Sequence, residues 1–123
     1  FIADLDCKLD NADAINVLIV EGIMVLYIED IRNRMDLKLF VELDADERMY
    51  RRIKRNMQSM GISIDEIADY YLESVKYREV QYALFSKVYA DIILNGNNLG
   101  GRVKDVISYW IKDMIDSRSN IDF

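Results

Sequence analysis

The stretch Asn16-Val17-Leu18-Ile19-Val20-Glu21-Gly22 constrains the fold more than any other part of the chain. Its four consecutive apolar residues read as a strand buried on both faces, the pattern of a parallel sheet in an α/β protein. A carboxylate and a glycine end the run. Open parallel sheets bind ligands beyond the carboxyl ends of their strands. Glu21 therefore stands at the edge of a candidate site, and Gly22 lets another group come close. The plainer alternative is a buried strand that ends in a polar turn.

The residue inventory narrows the chemistry that such a site could perform. With one cysteine, Cys7, and no histidine, the chain has neither a nitrogen–sulfur zinc cluster nor a Ser-His or Cys-His nucleophilic pair. Catalysis is left to carboxylates, lysine, arginine or a hard metal ion. A lone cysteine also forms no intrachain disulfide and fits a cytoplasmic home. The net charge of −6 argues against a general nucleic-acid or anionic-membrane surface. No apolar run reaches the ~18–20 residues that a membrane span needs. A homo-oligomer is compatible with the composition. At 123 residues the chain is one domain or a piece of one. It opens on Phe1 rather than Met, which leads us to expect residues before it.

Phe1 to Asp6 reads as a strand or a frayed end, and Lys8 to Ala14 as a turn-rich segment. After Gly22 the apolar run continues over 23–27, and Glu29 to Asp36 looks like a short polar helix. Leu37, Leu39, Val41 and Leu43 alternate with Lys38, Phe40 and Glu42, which predicts a second strand. Asp44 and Glu47 then form a capping-box pair that opens a helix running to about Met57–Met60. Met49, Ile53 and Met57 make its apolar stripe, and Arg48, Arg51, Arg52 and Arg55 share a neighbouring basic face. Gly61 is the expected stop.

Ser63 with Glu66 is a second capping box, with Ile62 and Ile67 as its hydrophobic staple. Helical spacing continues through Ile64, Ile67, Ala68, Tyr71, Leu72 and Val75, and again through Val80, Ala83 and Leu84. Whether the two stretches join or bend near 75–77 stays open at this level. Ala90 to Leu94 predicts a third strand, and 95–101 a loop. A last helix carries Val103, Val106, Ile107, Trp110, Ile111, Met114 and Ile115, with fraying expected after Asp116. Alternating strands and helices predict an α/β fold with a parallel sheet flanked by helices. Three strands make a thin sheet, so the sequence leads us to expect that this single domain is part of a larger fold.

Several segments together resemble the uridine kinase family, whose fold is a three-layer P-loop NTPase. The segments are Val20-Glu21-Gly22-Ile23, Asp44-Ala45-Asp46, Arg51-Arg52-Ile53-Lys54-Arg55, Tyr71-Leu72-Glu73-Ser74-Val75-Lys76 and Ser86-Lys87-Val88-Tyr89-Ala90-Asp91-Ile92-Ile93. They occur in the family's order and at its spacing, from about Ala14 to Ile115. The resemblance implies ATP–Mg²⁺-dependent phosphorylation of a nucleoside hydroxyl. It implies that Glu21 helps to hold the metal, which suits a hard ion that prefers oxygen. It further implies that Arg52 reaches the substrate and that Arg55 opens the lid over the phosphates. Forked guanidinium bonds to phosphate oxygens fit that use.

Each assignment has a structural alternative. Glu21 can cap the next turn. Arg52 and Arg55 can belong to a solvated face of (i, i+4) ion pairs, the better reading for Arg48 and Arg51. Lys87 and Asp91 read as structural, and Tyr71, Tyr77, Tyr82 and Phe85 as core. The sequence also departs from the family. It contains no Gly-x-x-x-x-Gly-Lys-Ser/Thr phosphate loop. Asn56 stands where the family has Asp, and Met60-Gly61-Ile62 where it has Arg-Gly-Arg. Tyr70 replaces a substrate-contacting Gln and offers one hydroxyl in place of an amide. We therefore expect the C-terminal part of a uridine kinase-like enzyme, inactive alone. The alternatives are an accessory or assembly domain of the same fold, and a phosphoribulokinase-like or pantothenate kinase-like enzyme with another acceptor.

Overall fold

The structure is a computed structural model and describes residues 17–119. The segments expected over Phe1–Asp6 and Lys8–Ala14, together with Asn16, lie outside the described residues. Residues 21–97 form one compact unit, and 17–20 belong with the C-terminal residues from Asn98 onward to a second.

The first unit is built on a two-stranded parallel sheet. Strand β1 (Leu39–Glu42) pairs with β2 (Ile92–Asn95) in the register Leu39↔Ile92, Phe40↔Ile93, Val41↔Leu94 and Glu42↔Asn95. Strand β1 falls inside the alternating stretch 37–43, and β2 overlaps the expected 90–94 but starts two residues later and takes in Asn95, expected in the loop. Ion pairs reinforce the pairing. The Lys38 backbone N–H donates to Asp91 Oδ2 at 2.7 Å, and its ammonium lies 3.1 Å from the same oxygen. Lys87 pairs with Glu42. Gly96 closes the far end, where its N–H donates to the Glu42 carbonyl at 2.6 Å. A Cβ on Gly96 would sit 2.8 Å from that oxygen, so only glycine fits.

The expected first strand is not formed. Val17–Val20 are irregular, and among the described residues they have no ladder partner. Ile19 is 81% exposed. A run of branched apolar residues states β propensity, but a strand exists only where a neighbour supplies the ladder. The α/β class with a parallel sheet stands, as a small part of a P-loop NTPase-like fold.

After Gly22 the chain turns tightly, with Tyr27 and Ile28 donating to the Met24 carbonyl at 3.0 and 3.2 Å. Helix α1 (Glu29–Arg32) follows and is shorter than the predicted 29–36. Arg32 Nη1 reaches back to the carbonyls of Leu26 (2.8 Å) and Tyr27 (3.2 Å). Its guanidinium also lies 3.7 Å from the centroid of the Tyr89 ring, a cation–π contact. Val25, Leu26 and Ile31 are buried here, as are Ile67, Ala83 and Ser86 further along. The Ser86 hydroxyl, inside this apolar set, is satisfied by donating to the Ala83 carbonyl at 2.7 Å.

Helix α2 (Ala45–Met60) ends as expected on Gly61 in the left-handed conformation, φ 65°. Its start differs. Asp44 makes no side-chain cap, and Glu47, the other half of the expected box, turns instead to Arg51, four residues on, at 2.7 Å. Helix α3 (Ile64–Tyr70) does carry its capping box, with Ser63 and Glu66 bonded reciprocally. From there the run 64–84 continues unbroken. A π-helical stretch (Tyr71–Val75), a short helix α4 (Lys76–Arg78) and a second π stretch (Glu79–Leu84) follow in turn. A 3₁₀ segment, Phe85–Tyr89, leads into β2. The π turns shift the faces expected from a 3.6-residue period: Leu72 and Val80, read as inward, are 55% and 58% exposed. Tyr71 and Tyr82 are half-buried, the latter edge-on to Tyr27 at 5.1 Å, whereas Tyr77 and Phe85 are exposed.

In the second unit, helix α5 (Arg102–Ser119) has Ile107, Trp110, Ile111, Met114 and Ile115 half-buried on one stripe. Val103 and Val106, expected on that stripe, are exposed. The helix continues three residues past Asp116. No described helix is long and apolar enough to cross a membrane.

Candidate functional site

Glu21 is exposed on the irregular segment just before the Gly22–Tyr27 turn. The turn packs so closely that a Cβ on Gly22 would lie 3.0 Å from Val25 Cγ2. Arg32 holds the other end of the turn through the Leu26 and Tyr27 carbonyls. The carboxylate thus stands at the head of a tied segment. Among the described residues no group of three or more acidic, histidine or cysteine side chains could enclose a metal ion. Mg²⁺ does not require such a cage: one or two carboxylates suffice beside phosphate oxygens and water. A single exposed Glu21 fits that requirement.

The four arginines of α2 separate into two pairs. Arg48 Nε donates to Glu79 Oε1 at 2.8 Å, and Arg48 Nη1 donates to the Leu43 carbonyl. The Tyr71 hydroxyl donates to the other Glu79 oxygen at 3.4 Å. Arg51 is held by Glu47 within the helix. Arg51 matches the (i, i+4) reading that the sequence favoured, whereas Arg48 is held by a part-buried carboxylate far along the chain and not by a helical neighbour. Among the described residues, no carboxylate lies within ion-pair distance of Arg52 or Arg55. Among the described residues the Arg55 side chain bonds only to Asn56 Oδ1, at 3.3 Å. The two arginines stand three residues apart, one helical turn, so their side chains are neighbours.

Tyr70 ends α3, on the next helix, and is 60% exposed, without a side-chain partner among the described residues. No hydrogen bond or ion pair among the described residues links Glu21, Arg52, Arg55 and Tyr70 to one another. Lys87 and Asp91 are occupied in holding β1 to β2, as their structural reading anticipated. The Lys38 backbone N–H, and then its ammonium, hold the Asp91 carboxyl below its ordinary value. Glu66 is lowered in the same direction by the Ser63 hydroxyl and backbone N–H.

Sequence reasoning passed over Lys54 and Gln58. Together with Arg51, Arg55 and Ser59 they line a shallow, open depression on α2. The signal was present in the spacing, since residues 51, 54, 55 and 58 recur at i, i+3, i+4 and i+7.

The profile of the phosphoribulokinase / uridine kinase family matches residues 4–98. A uridine kinase from Chlamydia pneumoniae is 38% identical over 106 residues, which is 86% of this chain and 48% of that protein. A uridine kinase from Lactobacillus helveticus is 43% identical over 84 residues, 68% of this chain and 40% of that protein. One from Streptococcus pyogenes serotype M5 is 49% identical over 82 residues, 67% of this chain and 39% of that protein. The matched region thus spans less than half the length of each of these relatives.

Proposed function

This chain belongs to the phosphoribulokinase / uridine kinase family, and on that footing we propose that it is the C-terminal part of an ATP-dependent phosphotransferase acting on a nucleoside hydroxyl. The observation that carries the reading is the division of the α2 arginines. Arg48 and Arg51 are taken up by Glu79 and Glu47, while Arg52 and Arg55 are left without a carboxylate among the described residues. Unpaired, always-charged guanidinium groups side by side are suited to an anionic ligand.

In this reading Arg55 contacts the phosphates of ATP and offsets charge as the γ-phosphoryl group moves. Phosphoryl transfer depends chiefly on such positioning and neutralisation. Arg52 and Tyr70 orient the nucleoside, the first by charge-assisted hydrogen bonds and the second through its exposed phenol. Glu21 supplies one carboxylate oxygen toward Mg²⁺, directly or through water. When bound, the metal ion would supply positive charge against the phosphates. These 123 residues contain no phosphate-loop motif to supply a backbone cradle and lysine, so the chain alone should turn over no ATP.

The stretch Met60-Gly61-Ile62 favours a second reading, a non-catalytic assembly domain of the same fold, because it brings no cation to the end of α2. One experiment separates the two. The complete polypeptide that contains this chain is sequenced upstream of Phe1 and assayed for ATP-dependent phosphorylation of uridine and cytidine. Turnover by a protein with an intact phosphate loop supports the kinase. A phosphate loop without nucleoside turnover, or its absence, supports the assembly domain or a different acceptor.

A further inference from the structure

Strand β2 ends on Asn95, and Gly96 follows it, the one Asn-Gly pair in the sequence. Each residue has a local task. Gly96 passes so close to the Glu42 carbonyl that a Cβ would lie 2.8 Å from the oxygen. Asn95 Oδ1 accepts from the Asn97 backbone N–H at 2.9 Å and shapes the turn that follows. Together the two make a reactive combination. Asn95 is exposed to water. The residue after it has no side chain to shield the Asn95 amide carbon from the Gly96 nitrogen. Attack of this kind is one source of the thermal lability of asparagine. Two features of the fold restrain it. The Gly96 N–H, whose proton must leave for the nitrogen to attack, donates to the Glu42 carbonyl at 2.6 Å. Asn95 is paired with Glu42 in the parallel ladder, so its backbone is extended, and ring closure requires it to turn out of that conformation.

We propose that Asn95 is a site of spontaneous deamidation whose rate is set by opening of the β1–β2 ladder at Glu42. In the open state the Gly96 nitrogen bonds to Asn95 Cγ. The Cγ–Nδ2 bond breaks, and ammonia leaves with the proton of the Gly96 N–H. The product is a cyclic succinimide. Water then adds to either ring carbonyl. Cleavage at Cγ yields aspartate. Cleavage at the backbone carbonyl carbon yields isoaspartate, whose main chain runs through the former side chain. Either product adds a negative charge next to Glu42 on the neighbouring strand, and like charges there repel. Isoaspartate also lengthens the main chain by a carbon, so Gly96 no longer meets the Glu42 carbonyl in register. The modification is therefore one-way and loosens the ladder end that restrained it. Asn97 and Asn98 are exposed as well, but the side chains of Asn98 and Leu99, which follow them, hinder the same attack. This chemistry needs only water and is independent of any phosphoryl transfer.

The test follows Asn95 by peptide mapping and mass spectrometry of the full chain during incubation in buffer, with and without guanidinium chloride. Fragmentation tells isoaspartate from aspartate. Hydrogen exchange of the Gly96 amide is measured on the folded chain under the same conditions. Both reactions need the Gly96–Glu42 bond open. Folding should therefore slow both by the same factor, at least about tenfold. Lys87→Gln removes the ion pair that holds Glu42. It should speed both reactions roughly twofold to fivefold in buffer, the worth of one exposed pair, and change neither in guanidinium. Gly96→Ala in guanidinium should slow the conversion, because a Cβ then hinders the attack. Three results would overturn the proposal. One is an Asn95 that stays unmodified in guanidinium. Another is an equal rate with and without guanidinium. The third is a Lys87→Gln chain in which Gly96 exchange rises and deamidation does not.

Discussion

Arg48 Nε and Glu79 Oε1 meet at 2.8 Å across 31 residues of sequence, joining α2 to the second π stretch of the run 64–84. The Glu79 side chain is only 12% exposed. Tyr71 donates to its other oxygen. Losing Arg48 therefore strands a mostly buried carboxylate. We expect Arg48→Ala to lower stability by about 1–3 kcal/mol. Glu79→Gln should cost less, because the amide still accepts. Chemical denaturation of both single variants and the double variant gives the coupling energy. A coupling indistinguishable from zero would remove the pair from the account of how α2 is held.

Arg52 and Arg55 should behave in the opposite way. Neither has a carboxylate partner among the described residues, so Ala at exposed Arg55 should change stability by no more than about 0.5 kcal/mol, and Ala at half-buried Arg52 should lose only the packing of its aliphatic stem. In the complete polypeptide each should weaken ligand binding, by roughly 1.5–3 kcal/mol for a lost charge-assisted hydrogen bond. Lys should rescue only partly, since the fork is lost. Calorimetric titration paired with thermal melts checks both halves. Unaltered affinity in both variants returns the two arginines to a solvated surface.

Glu21→Gln removes one charge from an exposed position and leaves the Gly22–Tyr27 turn intact. In the complete polypeptide the apparent Mg²⁺ affinity and kcat should both fall, with an unchanged melting temperature. A magnesium titration of the rate decides it. An unmoved curve makes Glu21 a residue of the turn and no more.

Asp91 gives the strand pair an acid sensitivity. Its carboxyl is lowered from the usual 3.8 by the Lys38 backbone N–H and ammonium, so the folded chain binds this proton less readily than the unfolded one. The contribution is complete above the unfolded value of about 3.9 and disappears as pH falls through the lower folded value. Asp91→Asn should melt below the parent at neutral pH, and the gap should close on acidification below about pH 4. Melting curves from pH 7 to pH 2 test this. A gap that is constant over the whole range would mean that the Lys38 contacts do not depend on the charge.

Two glycines should respond to alanine for different reasons. At Gly61 the space is open, and only the left-handed φ of 65° resists a side chain, so Gly61→Ala should cost about 1–2 kcal/mol. At Gly96 the obstacle is the Glu42 backbone oxygen, which cannot swing aside without opening the end of the β1–β2 ladder. Gly96→Ala should therefore destabilise more, and Gly100→Ala, with open space and no positive φ, least. Ranking the three by denaturation midpoint checks the geometry.

What could be read from the sequence was what depends on neighbours along the chain. The Ser63–Glu66 box, the Gly61 stop, the alternation in Leu39–Glu42 and the stripe from Ile107 to Ile115 are all local. Each appears where short-range physics puts it. Val17–Val20 has the composition of a strand but needs an adjacent strand to become one. Asp44 makes no box, and Glu47 is paired instead with Arg51, one turn ahead within its own helix. The Arg48–Glu79 contact lies beyond any local signal. The candidate residues were legible as types. That two arginines are spoken for and two are not depends on which carboxylates the fold brings near.

The two π stretches have a consequence for how this chain tolerates insertion and deletion. A π turn closes one residue later than an α turn, so each stretch accommodates residues that an α-helix would not. Removing one residue from Tyr71–Val75 can be taken up by reversion to α geometry, with the flanking residues near their present faces. Within α2, which has no such slack, the same deletion swings everything beyond it by about 100° and carries Arg52 and Arg55 off their side of the helix. Single-residue length variation should thus be permitted within the π stretches and excluded within α2.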